Sequence, residues 1–386
     1  MSYQITLPRL MHIGKGASER IVETLSSLNC KKPLLVTDKV MVELGYADNV
    51  TAHLAAHNIE VDVYSDTVPE PTVSSITAGV ELVRQHTYDS IIALGGGSPI
   101  DSAKAIAILG KFGGQMRDYK FPIVTDQAGL PIIAIPTTAG TGSEVTRFTI
   151  ITDDESSEKM LCVGRGFMPS AALVDYELTR SLPQRVTADT GIDALTHAIE
   201  AYVSRKANLY SDAQALSAMA LIAPNLRTVF ADPTNERARE AMMLGSTLAG
   251  IAFSNASVAL VHGMSRPIGA LFHVPHGLSN AMLLPSVTAF SIPSATARYA
   301  QCARAMGLAT QLDSDESAND TLLGELTKLN LDLQVPTPEA FGIEKEVFFA
   351  SMTTMAEQAI ASGSPANNPR IPTLDEMVSI YASLWS

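Results

Sequence analysis

An aspartate and a histidine sit one helical turn apart in Thr190-Gly191-Ile192-Asp193-Ala194-Leu195-Thr196-His197. On a helix, Asp193 and His197 would share a face. Farther along come Val261-His262-Gly263-Met264-Ser265-Arg266 and then His273-Val274-Pro275-His276-Gly277. The chain has eight histidines (His12, His53, His57, His86, His197, His262, His273 and His276), and three of them fall in apolar surroundings between positions 262 and 276. One i, i+4 pair is commonly a surface pair, and a single histidine in an apolar run is commonly a hydrogen-bonded core residue. One carboxylate with several imidazoles is also a donor set for Fe(II), Zn(II) or a similar divalent ion. Spacing alone leaves both readings open.

A second chemistry-bearing feature is Gly95-Gly96-Gly97-Ser98-Pro99-Ile100-Asp101-Ser102-Ala103-Lys104, placed directly after an apolar run. Glycines let the backbone approach a ligand closely, and a helix N-terminus offers free N–H groups with partial positive charge. Ser98 or Asp101 could cap such a helix. The pattern is not GxGxxG, so it reads either as a diphosphate cradle or as an ordinary strand-to-helix turn. Pro136-Thr137-Thr138-Ala139-Gly140-Thr141-Gly142-Ser143-Glu144 follows another apolar run, and its hydroxyls suit a loop beneath a nucleotide. Two such loops at neighbouring strand ends would form a crevice where α/β folds bind ligands. Asp38 ends a third run. It could accept hydrogen bonds from ribose hydroxyls and would repel a 2′-phosphate, which favours NAD over NADP, or it is a turn aspartate.

The elements that must position these groups change character along the chain. Strands are expected at 33–37, 61–64, 90–94, 131–135 and 171–174, with helices between them such as 74–85 and 100–109. Uninterrupted Ile91-Ile92-Ala93-Leu94 and Ile132-Ile133-Ala134-Ile135 suit a parallel sheet covered on both faces. Beyond Leu182-Pro183 the pattern turns helical, with segments expected at 188–203, 210–229, 236–253, 256–271, 293–306, 320–329, 345–359 and 373–384. The expected fold is therefore an α/β domain over residues 1–182 and an all-α domain over residues 183–386. No internal repeat interrupts this plan.

Composition sets outer limits. Apolar residues make up 46% of the 386 and charged residues 17%, which supports large cores. A formal net charge of −13 argues against nucleic acid and anionic membranes as partners. The acidic stretch 313–320 reads as a solvated surface segment. Three scattered cysteines, Cys30, Cys162 and Cys302, fit neither a disulfide framework nor a cysteine zinc site. The N-terminus lacks a signal-peptide pattern, and no apolar run reaches the length of a membrane span, so a cytoplasmic protein is expected.

Together these residues resemble the iron-containing (group III) alcohol dehydrogenase family, whose members include lactaldehyde reductase, 1,3-propanediol dehydrogenase and butanol dehydrogenases. The resemblance runs from Leu35-Val36-Thr37-Asp38-Lys39 to Asn368-Pro369-Arg370 and is most specific at 95–104, 136–144, 188–201 and 262–280. It implies a Rossmann-like NAD-binding α/β domain followed by a helical metal-binding domain, the dehydroquinate synthase-like architecture, with a cleft between them and commonly a homodimer. It implies that Asp193, His197, His262 and His276 hold the metal, Fe(II) or alternatively Zn(II) or another divalent ion. It further implies that Gly96, Gly97 and Ser98 meet the pyrophosphate, with Thr137, Thr138 and Lys159 near the cofactor. Asp38, Asp101 and Thr141 complete the expected cofactor set.

The activity so implied is hydride transfer between NAD(H) and a small primary alcohol or diol, or its aldehyde, with the metal acting on the substrate oxygen and no protein nucleophile. Phe148, Phe253 and Val258 are implied pocket residues. One departure is Arg266, where many members carry a second histidine. Arg266 could bind a substrate carboxylate, as in a hydroxy-acid dehydrogenase, hold Asp193 or another acid, or pair at the surface. His273, an additional imidazole near His276, is a candidate proton shuttle. Readings of another class are a dehydroquinate synthase-like lyase and a non-catalytic NAD- or metal-binding protein. Glycerol dehydrogenase, a closer relative, usually lacks one of the four ligands.

Overall fold

In the computed structural model, which describes residues 2–156 and 158–385, the apolar runs of the first half become parallel strands. The strands are β1 (Leu10–Ile13), β2 (Pro33–Val36), β3 (Asp62–Tyr64), β4 (Ser90–Gly95), β5 (Ile132–Pro136), β6 (Phe148–Thr152), β7 (Lys159–Val163) and β8 (Ala171–Val174). Six form one all-parallel sheet in the order β1-β8-β5-β4-β2-β3, and β6 and β7 form an antiparallel pair. Every residue of β2, β4, β5 and β8 is buried, whereas the edge strands β1 and β3 are largely accessible.

Successive side chains of the central strands enter opposite cores, as pleat geometry requires. Leu34, Ile91, Ala93, Ile132 and Ala134 join one cluster, together with helices α4 (Val73–Gln85) and α5 (Gly97–Phe112). Leu35, Ile92, Leu94, Ile133 and Ile135 join the other, with α1 (Ile21–Ser27), α2 (Lys39–Glu43) and α3 (Tyr46–Ala55). The uninterrupted apolar strands thus reflect helices on both faces.

The strand order contains a reversal. From β2 the chain steps outward to β3, then returns across β2 to add β4, β5 and β8 on the other side. The switch point lies between β2 and β4, whose carboxyl ends carry Asp38 and the glycine run. Ligands of doubly wound sheets bind at such a point.

The second compact unit begins at Leu182 and is helical throughout its described residues. It comprises α6 (Gln184–Val203), α7 (Leu209–Ala231), α8 (Glu236–Ala256), α9 (Leu260–Phe272), α10 (His276–Ser291), α11 (Thr296–Ala305), α12 (Asp315–Asp332), α13 (Pro338–Phe341), α14 (Lys345–Ala361) and α15 (Leu374–Ser383). Helix α6 is buried on nearly all sides among α7, α8 and α10, so its polar residues project into protein. No single helix among the described residues is long and apolar enough to cross a membrane. The bent pair α8 and α9 passes by length and composition together, but both helices bury most of their residues inside the unit.

Several elements differ from expectation. Strand β1 and the β6–β7 hairpin were not anticipated, and neither shows a long apolar run; β6 alternates buried and half-buried positions instead. The continuous helix expected over 256–271 is interrupted. Ser257 takes a left-handed φ of 68° and α9 begins only at Leu260. Helix α10 was not among the expected helices; it starts directly after Pro275, which is its N-cap, and has Gly277 in its first turn. The acidic 313–320 stretch is largely the first turns of α12, where Asp315 and Glu316 face a helix N-terminus.

Candidate metal centre and nucleotide loops

Helix α6 places Asp193, His197 and Glu200 at i, i+4 and i+7, along one face and inside the helical unit. The side chains are almost wholly buried, at 2% exposure for Asp193, 4% for His197 and 3% for Glu200. Helix α9 contributes His262, and α10 opens with His276. The turn joining α9 to α10 returns the chain: His273 takes a left-handed φ of 55°, Val274 is buried and Pro275 starts the next helix. Gly277 then presses against α6, since a Cβ there would lie 2.3 Å from the backbone oxygen of Asp189. That close approach brings His276 to Asp193.

The result is a convergence of acceptors. One ligand atom each from Asp193, His262 and His276 lie within 4.8 Å of one another. Around Asp193 Oδ1 stand His262 Nε2 at 3.4 Å, His276 Nε2 at 3.8 Å and His197 Nε2 at 3.9 Å. His197 stacks on His262 (centroids 4.4 Å apart) and on Phe253 (4.2 Å). The donor at the focus is Asn280 Nδ2. It lies 2.7 Å from Asp193 Oδ1 and 3.3 Å from both His262 Nε2 and His276 Nε2. An amide nitrogen carries only two hydrogens, so it cannot serve three acceptors. Asn280 Oδ1 and His197 Nδ1 are themselves buried without hydrogen-bond partners. A cluster rich in lone pairs and short of positive charge fits a divalent cation.

Glu200 orients the site. Its Oε2 lies 2.7 Å from His262 Nδ1 and accepts from Ala259 N at 2.8 Å, while Oε1 accepts from Val261 N at 2.5 Å. It therefore ties the start of α9 to α6. When His262 Nδ1 donates to it, Nε2 is left as the lone-pair donor facing Asp193. The electrostatics follow. Burial alone would raise the pKa of Asp193, but His197, His276 and His262 outweigh it and keep the carboxyl ionised. Burial lowers His197 to about 3, with Asp193 opposing. Burial also disfavours charge on His262, yet Asp193 and Glu200 more than offset it and raise its pKa.

Arg266 lies on α9 one turn after His262. Its Nη1 donates to Ser364 Oγ at 3.1 Å and its Nε is buried without an acceptor. It makes no ion pair among the described residues, with Asp193 or any other acid; Asp193 accepts from Asn280 Nδ2 at 2.7 Å instead. His273 is exposed, and its left-handed backbone makes it the C-cap of α9.

In the α/β unit, Gly95 and Pro136 are paired at the ends of β4 and β5, so the glycine run and the threonine loop are neighbours. A Cβ on Gly96 would lie 3.1 Å from the Thr138 methyl, and one on Gly97 2.9 Å from that of Thr141. The two loops therefore pack as closely as glycine allows. Thr137 N donates to Gly95 O at 3.0 Å, and Thr37 Oγ1 donates to Leu94 O at 2.9 Å across the switch point. Asp38 caps α2, its Oδ1 accepting from Met41 N at 2.9 Å. Ser98 Oγ accepts from Glu70 N at 3.3 Å, and Lys159 pairs with Glu70.

Asp101 is turned into the protein. Oδ1 accepts from Ser143 Oγ at 2.6 Å and Oδ2 from Ile150 N at 3.0 Å. Three residues later, Lys104 is fully buried, and its Nζ lies 2.7–3.1 Å from four acceptors, Ser143 Oγ, Thr146 Oγ1, Thr146 O and Phe148 O, so each of its three N–H groups has a partner. Burial lowers its ammonium to about 8, against the pull of Asp101 and Glu144. This pair fastens the threonine loop and the start of β6 to α5.

Sequence reasoning missed Glu200, Asn280 and Lys104 as site-building residues. The signal for Glu200 was its place seven residues after Asp193, and for Asn280 its place four after His276.

Two family models cover nearly the whole chain: iron-containing alcohol dehydrogenase over residues 8–176, and the C-terminal part of the same family over residues 187–385. The chain is 40% identical to long-chain-alcohol dehydrogenase 1 of Geobacillus thermodenitrificans, over 99% of this chain and 97% of that one. It is 35% identical to lactaldehyde reductase of Escherichia coli K12 over the full length of both. Its structure is similar to that of a 1,3-propanediol oxidoreductase, with a TM-score of 0.95 and 35% identity over all of both chains.

Proposed function

This chain belongs to the iron-containing alcohol dehydrogenase family and is a metal-dependent alcohol dehydrogenase, and from that premise we propose that it moves hydride between NAD(H) and a small primary alcohol or diol. In this reading Asp193, His262 and His276, with His197 beside them, hold the divalent ion. The observation that carries it is the focus of three acceptors on the single Asn280 amide nitrogen.

Asp193 supplies the negative charge that offsets a dication, and its low pKa keeps that charge across the physiological range. Glu200 fixes the His262 ring and adds a second carboxylate within the same buried volume. The packing of α6, α9 and α10 excludes water from all but the His276 side, where the imidazole is 31% exposed. A divalent ion held here would supply Lewis acidity toward the substrate oxygen. Asp38, Gly96, Gly97, Ser98, Thr137, Thr138, Thr141 and Lys159 are the residues proposed to hold the nucleotide. Gly96 and Gly97 leave backbone N–H groups at the start of α5 open to a diphosphate, and Asp38 keeps one oxygen beyond its cap bond for ribose hydroxyls. The role of Asp101 is different: both its oxygens are committed, so it supports the loops from within. Bound NAD+ would accept the hydride, so alcohol plus NAD+ gives carbonyl, NADH and one proton.

Three buried free cysteines fit a reducing compartment, and we place the enzyme in the cytoplasm as a homodimer, which light scattering on purified protein checks. The main test is metal analysis of anaerobically purified protein alongside NADH formation across simple alcohols and diols. Absence of both a bound divalent ion and any turnover would remove this reading.

A further inference from the structure

Arg266 differs from five other arginines of the helical unit in having no carboxylate partner among the described residues. Arg185, Arg227, Arg298, Arg304 and Arg370 each have a carboxylate within ion-pair distance. Arg266, although partly buried, has one neutral partner, the Ser364 hydroxyl, and a buried Nε with no acceptor. Burial depresses its pKa, and only the charge of Glu200 opposes this. Glu200 is itself occupied by two backbone N–H groups and His262. A guanidinium has five N–H donors in a fork matched to planar oxyanions, and burying it without an anion is costly.

Its position gives that fork a direction. Along α9, positions 262, 266 and 269 or 270 fall on one helical stripe. Exposure rises along it: His262 is buried, Arg266, Gly269 and Ala270 are half-buried, and the C-cap His273 beyond them is exposed. The stripe therefore runs from the acceptor cluster outward, past two residues too small to block it, and the guanidinium stands at its first accessible rung. One turn separates Arg266 from His262, about 6 Å of axial rise. That span matches a chain of roughly three or four carbons between a reacting oxygen and a terminal oxyanion.

We infer that Arg266 is a specificity-determining residue that receives the oxyanion of a short hydroxyalkyl carboxylate or sulfonate, or of the matching aldehyde, while the other end of the substrate reacts at the acceptor cluster. This rests on the alcohol dehydrogenase reading and narrows its substrate class. A charge-assisted bidentate pair contributes enough to distinguish a charged substrate from its neutral analogue by roughly 10–100-fold.

The test compares 4-hydroxybutanoate with butan-1-ol in kcat/KM on metal-loaded enzyme, for wild type, Arg266→Ala and Arg266→Lys. Calorimetry with the non-reacting butanoate and propanesulfonate is run in parallel. The expected result is a wild-type preference for the hydroxy acid of roughly 10–100-fold that collapses toward unity in Arg266→Ala, chiefly through KM. Arg266→Lys should retain part of it, since an ammonium keeps the charge without the fork. Wild type should bind the anions and Arg266→Ala should not; the stronger of the two anions identifies carboxylate or sulfonate as the class. The inference is overturned if wild type binds neither anion, or if Arg266→Ala binds them equally well while circular dichroism shows it folded. Should the enzyme oxidise butan-1-ol but show no anion preference, only this inference fails. Should it oxidise no alcohol at all, the dehydrogenase reading fails, and calorimetry still decides whether Arg266 is an anion receptor.

Discussion

Two buried polar clusters sit one in each unit of this protein, and they are built on opposite principles. The Asp101–Lys104 cluster is complete: one acid, one base, and a donor or acceptor for each of their polar atoms, all from α5, the threonine loop and β6. The Asp193 cluster is incomplete. It gathers one carboxylate and two imidazoles on an amide that cannot satisfy them, stacks a third imidazole on His262, and leaves His197 Nδ1 and Asn280 Oδ1 without partners among the described residues. A satisfied network stabilises and positions; a network short of positive charge is arranged for a ligand. Burial alone does not separate structural from functional polar groups, because both clusters are buried. The balance of donors and acceptors does.

The comparison can be broken most sharply at His262. Replacing it with Ala should lower kcat/KM by roughly a thousandfold or more, because several kcal/mol of charge stabilisation are lost. NAD binding, measured by calorimetry, should be nearly unchanged. Near-normal turnover in this variant would remove the functional half of the contrast. On the structural side, Lys104→Met strands Asp101 in the interior and should cost about 3–5 kcal/mol in denaturant unfolding. Its divalent-ion content should stay that of wild type, and loss of metal together with stability would show that the two clusters are not independent.

Removal of the divalent ion by chelation should abolish activity and lower stability by about 2.7 kcal/mol relative to protein holding the ion at a hundredfold excess over its Kd. Readdition should restore both, and a thermal melt that ignores the metal would contradict the charge deficit inferred here. Glu200→Gln sharpens the picture at smaller amplitude. It keeps an acceptor for His262 but removes the charge, so metal affinity should fall roughly 10–100-fold with the fold intact. The smallest effect is expected at the switch point. Asp38→Gly should raise NADP use relative to NAD on the order of tenfold, by removing a like charge from beside the 2′-phosphate. A wild type that already prefers NADP would show that Asp38 serves only as the cap of α2.

The sequence by itself determined the parallel sheet, the switch to helix near Leu182 and the type of donor at each candidate position. These are written in local patterns: continuous apolar runs for strands buried on both faces, glycines where loops must approach, and i, i+4 spacing on α6. It could not determine that Glu200 supports His262, that Asn280 rather than Arg266 holds Asp193 and stands at the focus of the cluster, or that Asp101 faces inward. Those assignments depend on the break at Ser257, on the left-handed turn at His273 and on the contact of Gly277 with α6. Each is a distance between segments far apart along the chain, and local periodicity holds no information about which of several compatible polar groups the packing will bring within 3 Å.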